Sequence, residues 1–114
     1  MPTKQLVECV NTLSNKAECL IRHLYYLDAV TVASEALQLD ACHERSLFRR
    51  AKANDLHHKA QNQDPLYFLS SLEDLERIIS FNGDGAPKAE ELRDEINSIM
   101  RRSFPSLSYR GDGF

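Results

Sequence analysis

The chain has 114 residues, 42% of them hydrophobic, which fits one small domain with a modest core. Its formal net charge is −3, with acids and bases spread along its length, so bulk attraction to nucleic acid or to an anionic membrane is not expected and any anion binding must be local. No apolar run approaches the roughly 20 residues of a membrane span, and "MPTKQLVECV" lacks the basic start and apolar block of a signal peptide, so the expectation is a soluble, cytoplasmic protein.

The first predicted helix begins near Leu6. Its apolar residues Leu6, Val10, Leu13, Ala17, Leu20 and Leu24 recur in steps of three and four and form one stripe. "HLYYLD" breaks it, and Asp28 starts a second helix whose inner face is Ala29, Val32, Ala33, Ala36, Leu37 and Leu39. After the turn "QLDACHE" a third helix runs from about His43 to Ala60, with Leu47, Phe48, Ala51 and Leu56 inward. It fades into the polar stretch 57–64, which caps it and crosses to the next helix.

Pro65 suits the first turn of a fourth helix, "PLYFLSSLEDLERIISF", with Leu69, Leu72, Leu75, Ile78 and Ile79 apolar. "NGDGAP" is a strong stop, joining residues that tolerate positive φ to a proline that opens the following helix. The fifth helix, about Lys88 to Phe104, carries Leu92, Ile96, Ile99 and Met100 on one side. The tail 105–114, "PSLSYRGDGF", is expected to be flexible or pinned only by Tyr109 and Phe114. No segment alternates as a strand does, so the fold class is all-α, about five helices in antiparallel pairs.

Ala51 lies 34 residues after Ala17, and the same offset sets Arg49 on Asn15 and Phe48 on Ser14. That period, with the small residues Ala29, Ala33 and Ala36 on the partner helix, resembles the tetratricopeptide repeat. "NKAECL" and "YLDAVTVASEALQLD", with "RSLFRRAKA", are similar to the last repeats of co-chaperone domains of the large immunophilin and aryl-hydrocarbon-receptor-interacting types. The resemblance covers about residues 10–102. It implies a superhelical domain over 1–104, with repeat units at about 10–42 and 43–82 and a C-terminal capping helix at 88–104. The second unit carries eight extra residues in its connection, where "LHHKAQNQDPLYFL" replaces the family's tight turn.

The resemblance also implies a site. In the family an asparagine of one repeat and a Lys/Arg pair of the next clamp the acidic C-terminus of Hsp90 or Hsp70. The matching residues here are Asn15, Arg45 and Arg49, with Lys52 in reach of the same helix face. Arg45 stands where the family usually has lysine, and its planar fork suits bidentate carboxylate recognition. The family takes a further Lys and Asn from a preceding repeat, and Lys4 and Asn11 do not match them. Either the chain is the later part of a longer protein or it binds something else. Arg50 is expected to pair with a nearby acid such as Glu44 or Asp55.

Other constellations carry less. Cys9, Cys19 and Cys42 are odd in number without a CxxC pair, a poor disulfide or zinc framework, and are expected to be small buried hydrophobes. Cys42–His43 and His57–His58 sit at opposite ends of one helix, roughly 20 Å apart at 1.5 Å per residue, too far for one metal. No nucleophile–base arrangement, Gly-rich phosphate loop or calcium loop is legible, so neither an enzyme nor a cofactor is expected. "RGD" at Arg110–Asp112 is treated as accidental.

Two functions follow as expectations. The first is an adaptor holding an acidic peptide, such as a chaperone tail, between Asn15, Arg45, Arg49 and Lys52. The second is a structural scaffold or assembly module that docks an apolar or helical partner, or a second copy of the chain, through Leu6, Val10 and Phe48, with Val7 beside them in an exposed patch. A third, a regulatory part of a longer enzyme, would need more sequence upstream.

Overall fold

The computed structural model describes residues 3–60 and 65–103. It contains five helices: α1 (Lys4–Arg22), α2 (Tyr26–Leu39), α3 (Glu44–Ala60), α4 (Pro65–Phe81) and α5 (Ala86–Ser103), with no strand among the described residues. The fold is all-α. Each helix packs on the next in sequence, and α1 also touches α3, which makes α3 the hub. The expected tail contacts of Tyr109 and Phe114, the "RGD" stretch, Phe104 and residues 61–64 of the polar connection lie outside the described residues.

Local chemistry sets the helix ends. Thr3 caps α1 by accepting the Leu6 N–H at 3.1 Å. At the other end the Tyr25 N–H bonds the Leu20 carbonyl at 2.9 Å and the Leu24 N–H bonds that of Ile21 at 3.0 Å, the crossed pair of a Schellman closure. This closure needs a left-handed residue, and Leu24 fills it at φ 70°. Leu24 is therefore not the last rung of the inner stripe, as its spacing predicts, but 70% exposed beyond the helix. Asn82, a residue type that tolerates the left-handed region, takes φ 54° where α4 ends.

The core is built on α3, α4 and α5, where Leu47, Ala51, Phe68, Leu75, Ile78, Leu92 and Ile96 form one cluster. A smaller one joins Ala17 to Val32 and Ala33. Ala17 and Ala51, the two alanines of the 34-residue offset, are both fully buried. Ser71 sits flush against α3, donating its hydroxyl to the Ala51 carbonyl at 2.8 Å. That bond satisfies a polar atom in a place where a larger side chain would hold the helices apart.

Several expected inward residues face out. Leu69 and Leu39 are exposed, and Phe68 takes the α4 core position instead. Leu75 and Ile78 are buried as the pattern predicts and Leu72 and Ile79 pack partly against the core, whereas in the first turns of α4 the buried positions are Phe68 and Ser71, one residue before Leu69 and Leu72. Cys9, Cys19 and Cys42 are exposed, contrary to the reading of them as buried hydrophobes. Cys9 and Cys19 lie on the open side of α1. Cys42 sits in the α2–α3 turn, where its N–H is accepted by Asp40 at 3.1 Å. Val10 is 3% exposed on the packed side of α1 with Ser14 and Ala17, so the expected patch of Leu6, Val7 and Val10 does not form. Leu6 is half-buried, and only Val7 is exposed.

Candidate functional site

At about 100° per residue, Arg45, Lys52 and Leu56 fall within roughly 40° of one another on α3, with Phe48, Arg49 and Lys59 flanking them. Hydrogen bonds place α1 along one edge of this face, and the Lys59–Glu95 ion pair places α5 along the other. The strip of α3 between them is a shallow groove.

The α1 edge is a ladder of polar contacts. His43, just ahead of α3, has Nε2 3.2 Å from Asn11 Oδ1 and Nδ1 2.8 Å from Ser46 Oγ. A neutral ring with its proton on Nε2 satisfies both. Burial pulls the His43 pKa below its ordinary value; Asp40 opposes this, and Arg45 and Arg49 reinforce it. One turn further along, Arg49 donates from Nη1 to Ser14 Oγ at 2.9 Å and to Asn15 Oδ1 at 3.3 Å, and its Nε lies 3.7 Å from Glu18. Burial also pulls the Arg49 pKa down; Glu18 works against it, and Arg45 and Arg22 with it.

The structure thus brings Asn15 and Arg49 together. Arg45 lies one turn before Arg49 on the same face and makes no ion pair or hydrogen bond among the described residues. Lys52, half-buried, likewise has no acid at ion-pair distance among them. Phe48 packs against the main core and also lines the groove, whereas Leu6 and Val10 are not part of it.

The α5 edge holds a different set. Lys59 Nζ is 3.1 Å from Asp55 Oδ2 and 3.4 Å from Glu95. Asp55 is fully buried, and the Lys59 ammonium is its one charged partner at ion-pair distance among the described residues. Burial raises the Asp55 pKa, against the pull of Lys59. On Lys59, burial is outweighed by Asp55 and Glu95, and its pKa rises.

Where α3 begins, the groove deepens to a cleft of about 540 Å³ reaching the α4–α5 turn, with Phe48 and Ile78 among its apolar lining. Lys88 of α5 stands in it with Arg45 and Arg49. Sequence reasoning missed Lys88, since the resemblance names no residue there. It also missed Ser14, whose signal was a small polar residue on the inner stripe of α1 between Val10 and Ala17.

Arg50 has another role. Its Nε and Nη2 donate to the two Asp74 oxygens, each at 2.8 Å, and Nη1 donates to Ser34 Oγ at 3.2 Å. Neither Glu44 nor Asp55 is its partner, because the side chain leaves α3 on the side facing α2 and α4, away from the groove. The paired arginines are two brackets, Arg49 tying α3 to α1 and Arg50 tying it to α2 and α4. The Asp74 hydrogen bond raises the Arg50 pKa, with burial opposing.

Among the described residues no group of three or more His, Cys, Asp or Glu side chains converges as metal ligands. His58 is buried with its ring 3.5 Å, centroid to centroid, from that of Phe68, and His57 lies edge-on to Tyr67. No described helix is long and apolar enough to cross a membrane. Compared with family models, with curated proteins and with solved structures, the chain matches none.

Proposed function

We propose that the chain is a protein-interaction module of tetratricopeptide type, a cytoplasmic, co-chaperone-like adaptor whose groove holds an extended peptide bearing carboxylates, such as the C-terminus of Hsp90 or Hsp70. The observation that carries this reading is the meeting of Arg49 with Asn15 across two helices, beside Arg45 and Lys52, which have no acid of their own. Glu18 already stands 3.7 Å from Arg49, so a peptide carboxylate at this place would meet chiefly Arg45 and Lys52, which have no such partner among the described residues. Arg45 offers a fork for bidentate binding, and Asn15 offers an amide at its edge. The role is binding, not catalysis.

The test is titration of the protein with a short free-carboxylate acidic peptide at low and physiological salt, beside Arg45→Ala. Micromolar binding that weakens with salt and falls about tenfold or more in the variant supports the reading. Binding unaffected by Arg45→Ala, or absent at both salts, overturns it. Arg45 is the better probe, because Arg49 also holds α1 in place.

A second reading rests on the α1–α2 turn. Leu24, Tyr25 and Leu27 are 70%, 59% and 48% exposed and line, with Tyr26, His57 and Ala60, a hollow of about 410 Å³. This supports docking of an apolar or helical partner segment at the turn, a different place from Leu6, Val10 and Phe48. Such binding would be nearly independent of salt and lost in Tyr25→Ser, whereas loss in Arg45→Ala alone would exclude it.

A further inference from the structure

The cleft at the start of α3 is lined by as many acids as bases: Glu18, Glu44 and Asp84 against Arg45, Arg49 and Lys88. Two of the six are committed to neighbours. Arg49 is held by Ser14, Asn15 and Glu18, and Glu18 also pairs with Arg22 at 3.1 Å. The other four, Arg45 and Lys88 of one sign and Glu44 and Asp84 of the other, make no ion pair or side-chain hydrogen bond among the described residues.

Glu44 is the most telling of them. Its Oε1 is buried and accepts no hydrogen bond, although it belongs to a residue that lines an open cleft. A carboxylate held there with one oxygen buried and no counter-charge is costly, and a cation arriving with a ligand at its open oxygen offsets that cost. The oxygen lies 3.1 Å from the point where a Cβ on Gly85 would stand. The carboxylate lies over the α4–α5 turn against Gly83 and Gly85, and a Cβ on Gly85 would push it aside by a few tenths of an ångström.

We propose that this cleft binds a peptide of both charges, with a carboxylate at Arg45 and Lys88 and a neighbouring lysine or arginine side chain at Glu44 and Asp84. The methylene stem of that basic side chain lies on Phe48 and Ile78, and its head pairs with the open side of the Glu44 carboxylate and with Asp84. A purely acidic segment leaves Glu44 and Asp84 without a counter-charge, so it binds less tightly than one that also carries a cation at this place. The inference rests on the peptide-groove reading above and adds to it a subsite for a cation.

The experiment uses the full chain and labelled six-residue free-carboxylate acidic peptides. Lysine is scanned through the four positions before the last two, with norleucine at the same position as the uncharged control. In one register lysine is expected to bind about tenfold tighter than norleucine, the effect of one charge-assisted hydrogen bond. Glu44→Gln erases that ratio while the norleucine peptide keeps its affinity or gains. Asp84→Asn, in an exposed turn where it does not disturb folding, reduces the ratio. Arg45→Ala weakens both peptides alike. If lysine gains nothing in any register, or the gain survives Glu44→Gln, the cation subsite is refuted while the groove stands. If no peptide of either kind binds, the groove reading falls and the subsite with it.

Discussion

Arg50→Ala is expected to destabilise the fold by about 3 kcal/mol. Arg50 places two donors 2.8 Å from the two oxygens of Asp74, whose side chain is only 5% exposed. Truncation leaves that carboxylate buried and unpaired, and breaking a buried pair from one side costs about 3–5 kcal/mol. Arg50 itself is 27% exposed, so water reaches part of the vacated space and brings the figure toward the lower end. Loss of the bond to Ser34 adds about 1 kcal/mol or less. Urea unfolding followed by circular dichroism reads the effect: at a slope of about 1.5 kcal/mol per molar, the midpoint falls by about 2 M with the slope unchanged. The double variant Arg50→Met/Asp74→Leu is expected to recover most of the loss, because the cost is the stranded charge and not the missing attraction. A loss under about 1 kcal/mol for Arg50→Ala, or a double variant no better than the single, would refute this account.

Three further outcomes are expected. Stability should fall on acidification below about pH 6.5, because burial, with Arg45 and Arg49, holds the folded His43 below its ordinary 6.5. The unfolded chain then takes up the proton first, so the contribution is whole above 6.5 and lost as pH drops toward the folded value. His43→Gln should flatten this slope, and an unchanged slope counts against the His43–Asn11 bridge. Asp55 acts with the opposite sign: its pKa is raised from 3.8, so its contribution is present below 3.8 and lost as pH rises through the folded value. Asp55→Asn should therefore match or exceed the natural chain at pH 7 by up to about 1 kcal/mol. A loss in the same unfolding assay would show that the Lys59 pair outweighs burial. Leu24→Asn should raise the unfolding midpoint by the equivalent of about 0.5–1 kcal/mol, since asparagine tolerates the left-handed region and little buried surface is lost at 70% exposure. No gain, or a loss, would mean that Leu24 packs more than its exposure indicates.

Much of the fold was legible because helical periodicity and stop signals are local. Pro65 and "NGDGAP" bracket α4 without reference to anything distant, and the inner faces of α5 and, apart from Leu39, of α2 follow from spacing. The third helix was harder. Its buried residues include Ser46, Ala53, Asn54, Asp55 and His58 and do not form one apolar stripe, because neighbours enclose it on several sides. A helix in that position buries small and polar residues, and periodicity of apolar residues does not show which. The arginines were half legible. The 34-residue offset put Asn15 against Arg49, whereas Arg50 found Asp74, 24 residues away, a partner that spacing along α3 does not reveal.

By itself the sequence determined five helices, their order, and a basic face along α3 at Arg45, Arg49 and Lys52, all properties of residues within a turn or two of each other. Only the tertiary structure decided which of those cations are already paired. Burial of Arg50 against Asp74 and of Arg49 against Ser14 and Glu18 depends on how α1, α2 and α4 cross α3. The packing of α5 on α4 brings Lys88 into the cleft that Arg45 lines, where Glu44 Oε1 has no donor among the described residues. Charge availability at a site is a sum over contacts made by distant segments, and the packing of the helices fixes that sum.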